Sequence, residues 1–181
     1  MADDMGLGKT IQVIALLLKL KEEKKLDKPS LVVCPTTLLG NWQKECEKFA
    51  PSLDVLIYHG LSRAIMPKFK FKFKDKDKDK ASSIYNDIFK DKDIIITTYG
   101  TVRSDIDYLK ELGWGLLIVD EAQNIKNPST DQTRAVKSIK SDCRIAISGT
   151  PVENRLTELW SIFDFINEGY LLSLNEFQIY T

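Results

Sequence analysis

The run Asp3-Asp4-Met5-Gly6-Leu7-Gly8-Lys9-Thr10 passes at once into IQVIALLLKL, residues 11–20. Two nearby glycines let a backbone curl until its N–H groups converge on a phosphate, and a helix starting there adds the positive end of its dipole. In such a loop Asp4 to Thr10 wrap the nucleotide, Lys9 reaches the β- and γ-phosphates, and Thr10 places its hydroxyl on a magnesium ion. A full phosphate loop has a glycine where Asp3 stands. The competing reading is a Gly-rich turn that caps a buried helix.

Further along lies Leu116-Leu117-Ile118-Val119-Asp120-Glu121-Ala122-Gln123. Four apolar residues ending in two carboxylates read as a buried strand that delivers acids to the carboxyl edge of a parallel sheet, where ligands bind. Asp120 suits a magnesium shell, and Glu121, pointing elsewhere, suits the base that activates a water. Two solvated acids in a loop are the bland alternative. A phosphate loop upstream in the expected order weighs against it. Ser148-Gly149-Thr150-Pro151 closes a third apolar run and places small hydroxyl residues where a backbone passes close to a nucleotide.

Working outward, apolar runs of strand length alternate with segments of helical period, the pattern of a parallel sheet covered by helices. The expected strands are Leu31 to Cys34, Val55 to Tyr58, Asp93 to Thr98, Gly115 to Val119 and Arg144 to Ser148. Expected helices are Lys9 to Glu23, Leu38 to Ala50, Thr101 to Leu112, Thr130 to Ser138 and Leu156 to about Asn167. Ser129 and Gln132 have capping-box spacing. Residues 67–80 read PKFKFKFKDKDKDK, with seven lysines against three aspartates. This stretch is either a surface insertion or an edge strand whose rings and ammonium groups meet nucleic acid.

Composition sets the outer limits. With 43% apolar residues in 181 the chain can fill a core, and 26 basic against 26 acidic residues leave no global field to attract a polyanion. Cys34, Cys46 and Cys143 are far apart, which argues against a zinc site or disulfide framework and fits a reducing cytoplasm. No apolar run reaches the roughly 20 residues of a membrane span, so no membrane partner is expected. His59, Trp42, Trp114, Trp160 and Cys34 read as scaffold.

Taken together, ADDMGLGKTIQ, LVVCPTTLLGNWQKECEKFAP, IIITTYGTVRSD, LLIVDEAQNIKNPST and ISGTPVENRLTELWSIFDFI resemble the Swi/Snf type of helicase-superfamily-two ATPases, in the bacterial and archaeal branch that carries Gln123. The resemblance implies an α/β fold, a RecA-like P-loop lobe over residues 1–181, with an insertion at about 62–90. It implies ATP and Mg²⁺ as cofactors and double-stranded DNA as partner. Lys9, Asp120, Glu121 and Gln123 would be catalytic, and Ser148, Gly149 and Thr150 would couple nucleotide state to lobe movement. Pro35, Thr36, Thr37, Thr97, Thr98 and Tyr99 would line the DNA groove; for Thr36 and Thr37, helix capping competes with that role.

The resemblance further implies a strand before the phosphate loop and a second RecA-like lobe carrying arginines worth about 10³ to 10⁵ in rate, neither of which is in the sequence. A lobe without them is expected to be a poor ATPase and open to self-association. Rival readings are a strand-separating helicase, a restriction-system motor, or a non-catalytic nucleotide- or DNA-binding module. The expected setting is the cytoplasm, at the nucleoid, among DNA-bound proteins.

Overall fold

The computed structural model describes residues 8–60, 63, 87–149 and 156–180. Asp3, Asp4, Met5, Gly6, Leu7 and Thr150 lie outside the described residues, as does the Lys/Phe/Asp stretch at 67–80. Helix α1 (Lys9–Glu22) begins after Gly8 and buries Val13, Ile14 and Leu17. Strand β1 (Ser30–Cys34) leads into a 3-10 turn (Thr36–Leu38) and helix α2 (Leu39–Phe49). After β2 (Val55–Tyr58) come β3 (Ile94–Thr98), α3 (Tyr99–Leu109) and β4 (Trp114–Val119). A second 3-10 turn (Ala122–Ile125) precedes α4 (Asp131–Ser138), β5 (Ser141–Ala146), α5 (Leu156–Ile166) and α6 (Leu174–Tyr180).

The five strands form one parallel sheet in the order β2-β3-β1-β4-β5. Strand side chains alternate between two cores, as the period of two requires. Leu31, Val33, Ile95, Leu117 and Val119 face one way and meet Val102 and Leu109 of α3, Val136 of α4 and Phe165 of α5. Val32, Cys34, Ile94, Ile96, Leu116 and Ile118 face the other way and meet Val13, Ile14 and Leu17 of α1 with Leu39 and Trp42 of α2. Each such apolar side chain contributes about 1.5 to 3 kcal/mol when fully buried. Helices on both faces explain why β1 and β3 read as unbroken apolar runs in sequence.

Three expectations shift. Strand β5 occupies Ser141–Ala146 rather than Arg144 to Ser148, because pairing from Trp114↔Ser141 to Val119↔Ala146 draws polar residues into the ladder. As a sheet edge it tolerates them, and Asp142 pairs with Lys28 at 2.8 Å. The α4 cap is Thr130, whose hydroxyl accepts the Thr133 N–H at 3.2 Å, while Gln132 donates to the Asn124 carbonyl. Ser129 turns to the Asn127 side chain instead. A reciprocal capping pair does occur at Ser173 and Glu176, at the start of α6. Finally, part of the presumed insertion belongs to the core: Phe89 is buried edge-on against Tyr58, with ring centroids 5.4 Å apart, and beside Trp114.

A candidate nucleotide site at the carboxyl edge of the sheet

Parallel strands leave their carboxyl ends along one edge, and helix N-termini open there. Gly8, Lys9 and Thr10 at the start of α1 face Asp120 and Glu121 at the end of β4 across a cleft of about 260 Å³. Ile147 and Gly149, just past β5, and Leu38, Asn41 and Glu45 of the α2 region complete the walls. Gly8 sits at φ 72°, a left-handed conformation that favours glycine, and its carbonyl accepts the Gln12 N–H at 3.0 Å to start the helix.

The acids are fixed by backbone first. The Asp120 N–H donates to the Val33 carbonyl, Ala122 N–H to Ile147, and Ile147 N–H to Val119, each at 2.8 Å, so β1, β4 and the segment after β5 are bound at this edge. Asp120 is buried, and its two carboxylate oxygens have separate donors: Trp42 Nε1 reaches Oδ2 at 2.8 Å and the Glu121 N–H reaches Oδ1 at 2.9 Å. Burial raises the Asp120 pKa above the ordinary carboxylate value. The Trp42 and Glu121 N–H bonds oppose that rise, the Glu121 charge adds to it, and the Lys9 charge lowers it.

Glu121 stands at φ 53°, ψ 59°, a left-handed conformation seldom taken by residues other than glycine. That bend turns its side chain away from Asp120's path. Gln123 Nε2 donates to the Glu121 carboxylate at 2.6 Å, and the Ser148 hydroxyl donates to Gln123 Oε1 at 2.9 Å. An unbroken hydrogen-bonded line thus joins the second acid to the segment after β5.

The residues considered for a nucleic-acid groove divide into two groups. Thr36 and Thr37 are exposed and Pro35 is half-buried; neither the 3-10 turn nor α2 has a side-chain cap, so the threonine hydroxyls are not spent on capping. Thr97, Thr98 and Tyr99, expected to offer hydroxyls and backbone N–H groups to a DNA groove, are buried, and their hydroxyls are bonded within the lobe. Thr97 donates to the Tyr58 carbonyl at 2.8 Å, Thr98 caps α3 through the Thr101 N–H, and Tyr99 donates to the Asp120 carbonyl at 2.6 Å. Burial lifts the Tyr99 phenol pKa well above its usual value. His59 also has company: its Nδ1 lies 3.2 Å from the Thr101 hydroxyl.

Sequence reading treated Trp42 as packing alone. Its ring is fully buried, but its N–H serves the site. The available signal was the indole itself, since a buried tryptophan N–H needs an acceptor.

Parallel sheet, helix-flanked cleft and paired acids define a RecA-like α/β lobe of the nucleotide-binding class. Residues 1–180 match the SNF2-related domain, and the chain belongs to that family. It is 46% identical over 177 residues to YwqA of Bacillus subtilis, which is named as an ATP-dependent helicase/translocase. That match covers 98% of this chain and 18% of YwqA. It is 39% identical to the TATA-binding protein-associated factor mot1 of Schizosaccharomyces pombe, across 98% of this chain and 9% of that protein. Among solved structures, the SWI2/SNF2 ATPase core of Sulfolobus solfataricus in complex with double-stranded DNA superposes with a TM-score of 0.79 at 44% identity. The overlap covers 98% of this chain and 33% of that one. The chain therefore spans under a fifth of the curated relatives and a third of the structural one.

Proposed function

We propose that this lobe binds ATP for a motor that moves along double-stranded DNA and remodels protein–DNA complexes. The observation that carries the proposal is the single cleft that gathers Lys9, Thr10, Asp120 and Glu121 in a chain 44% identical to a DNA-bound ATPase core.

In this reading Lys9 and the backbone N–H groups at the start of α1 hold the phosphates. The Thr10 hydroxyl and Asp120 carboxylate fit magnesium: they are hard oxygen donors, few in number, and magnesium commonly keeps waters and phosphate oxygens for its other positions. Bound there, the ion would neutralise charge on the transferred phosphoryl group. Glu121, held off to one side by its backbone bend, accepts the proton of the attacking water. Gln123 and Ser148 carry the state of Glu121 to the segment after β5, where Gly149 lies. Pro35, Thr36 and Thr37 offer exposed backbone and hydroxyls to DNA phosphates, contacts that position a strand without reading its sequence. A second lobe would close on this edge and supply arginines.

The test is hydrolysis by the full-length protein with and without duplex DNA, with Lys9→Ala as control. We expect duplex DNA to raise kcat and to support displacement of a triplex-forming strand without separation of the duplex. Hydrolysis indifferent to DNA would sink the translocase reading. Efficient strand separation would move the assignment to a helicase.

A further inference from the structure

A side-chain bond at the site joins Trp42 to Asp120, 78 positions apart in sequence. Helix α2 begins directly after the exposed Thr36–Leu38 turn, and Trp42 lies about one helical turn into it. The neighbouring Asn41 and Glu45 line the same cleft as Lys9 and Thr10. Trp42 cannot swing away: its ring is fully buried among Val32, Leu39, Ile118 and Ile147. Its indole N–H is therefore a rigid donor fixed to one oxygen of a carboxylate whose other oxygen is held by the Glu121 N–H.

We propose that Trp42 is a positioning residue for Asp120, setting the carboxylate plane so that the free lone pairs of Asp120 face the cleft. The inference rests on the reading of Asp120 as a magnesium ligand. A metal-binding carboxylate that rotates freely spreads its lone pairs over many directions, whereas one gripped by a buried donor presents a single geometry. Through α2 the same donor ties Asp120 to the surface turn at Thr36 and Thr37.

Trp42→Phe retains a buried ring and deletes the N–H. Trp42→His restores a ring N–H in a smaller side chain. The measurement is the magnesium concentration that half-saturates binding of a fluorescent ADP analogue to the full-length protein, beside wild type and Lys9→Ala. We expect Trp42→Phe to raise that concentration ten-fold or more, the usual effect of losing a partner of a metal-binding side chain, and Trp42→His to recover part of it. Affinity measured without magnesium should stay unchanged, an outcome that general loosening of the lobe would not give.

Wild-type binding lost in Lys9→Ala, together with a Trp42→Phe curve that overlies wild type, overturns the positioning role alone. No binding by wild type overturns both this inference and the nucleotide reading beneath it. If Trp42→Phe does not fold, the wild-type structure with ADP and magnesium decides. A retained Trp42 Nε1 to Asp120 Oδ2 bond supports the assignment, and a gap beyond about 3.5 Å overturns it.

Discussion

Glu121 shows how one backbone angle divides labour between adjacent acids. At φ 53° its carboxylate leaves the line of β4 and meets Gln123, while Asp120 stays gripped by Trp42 and its own neighbour's N–H. Two carboxylates at consecutive positions would otherwise compete for one cation. Glu121→Gln keeps the length and a polar end but removes the carboxylate proposed as the base. Single-turnover hydrolysis should fall by about 10² to 10⁴, with ATP affinity retained. Equal loss of binding and turnover would place Glu121 among the nucleotide-holding groups instead. Lys9, Thr10, Asp120 and Glu121 were legible because each lies in a short contiguous pattern with a chemical reason for its spacing. Trp42 was not, since nothing in a linear text sets residue 42 beside residue 120. The internal partners of Thr97, Thr98 and Tyr99 were hidden for a related reason: hydroxyls at a strand end look available until the neighbours of β3 are known.

At the level of elements, the apolar interior strands and the β2 edge were readable almost to the residue, and the β5 edge was not. Strand β1 is buried along its whole length and announces itself by composition, whereas β5 is held by its ladder to β4 and starts with serine and aspartate. Helix α6 escaped because seven residues carry too little periodicity, although Ser173-Leu174-Asn175-Glu176 held the capping signal. Caps can be tested singly. The Thr98 hydroxyl accepts the Thr101 N–H at 3.2 Å at the start of α3. Thr98→Ala should cost about 1 kcal/mol. On a domain of this size that lowers Tm by roughly 2 to 4 °C. A Tm equal to wild type would mean that the neighbouring Thr101 hydroxyl and His59 take over the cap.

For the whole molecule, the question is how a stretch of low complexity is carried without unravelling the sheet. Arg63 pairs with Asp105 of α3, and Phe89 is buried between Tyr58 of β2 and Trp114 of β4. The chain is thus fastened on both sides of residues 67–80. Removing the second fastening by Phe89→Ala should cost about 3 to 5 kcal/mol in denaturant unfolding. A loss under about 1 kcal/mol would show that the ring packs against the lobe without supporting it.

The strand order has a temporal meaning as well. Strand β1, in the middle of the sheet, pairs with residues 94–98 on one side and 117–119 on the other, so neither of its ladders can form until long loops have closed. A chain whose central contacts are this distant in sequence belongs with slow folders, in the millisecond-to-second range. During synthesis β1 emerges before both of its partners and waits, its ladder edges unpaired, until β3 and β4 follow. The paired acids close β4, the last of the three interior strands to be made, so the cleft cannot exist before the sheet that carries it.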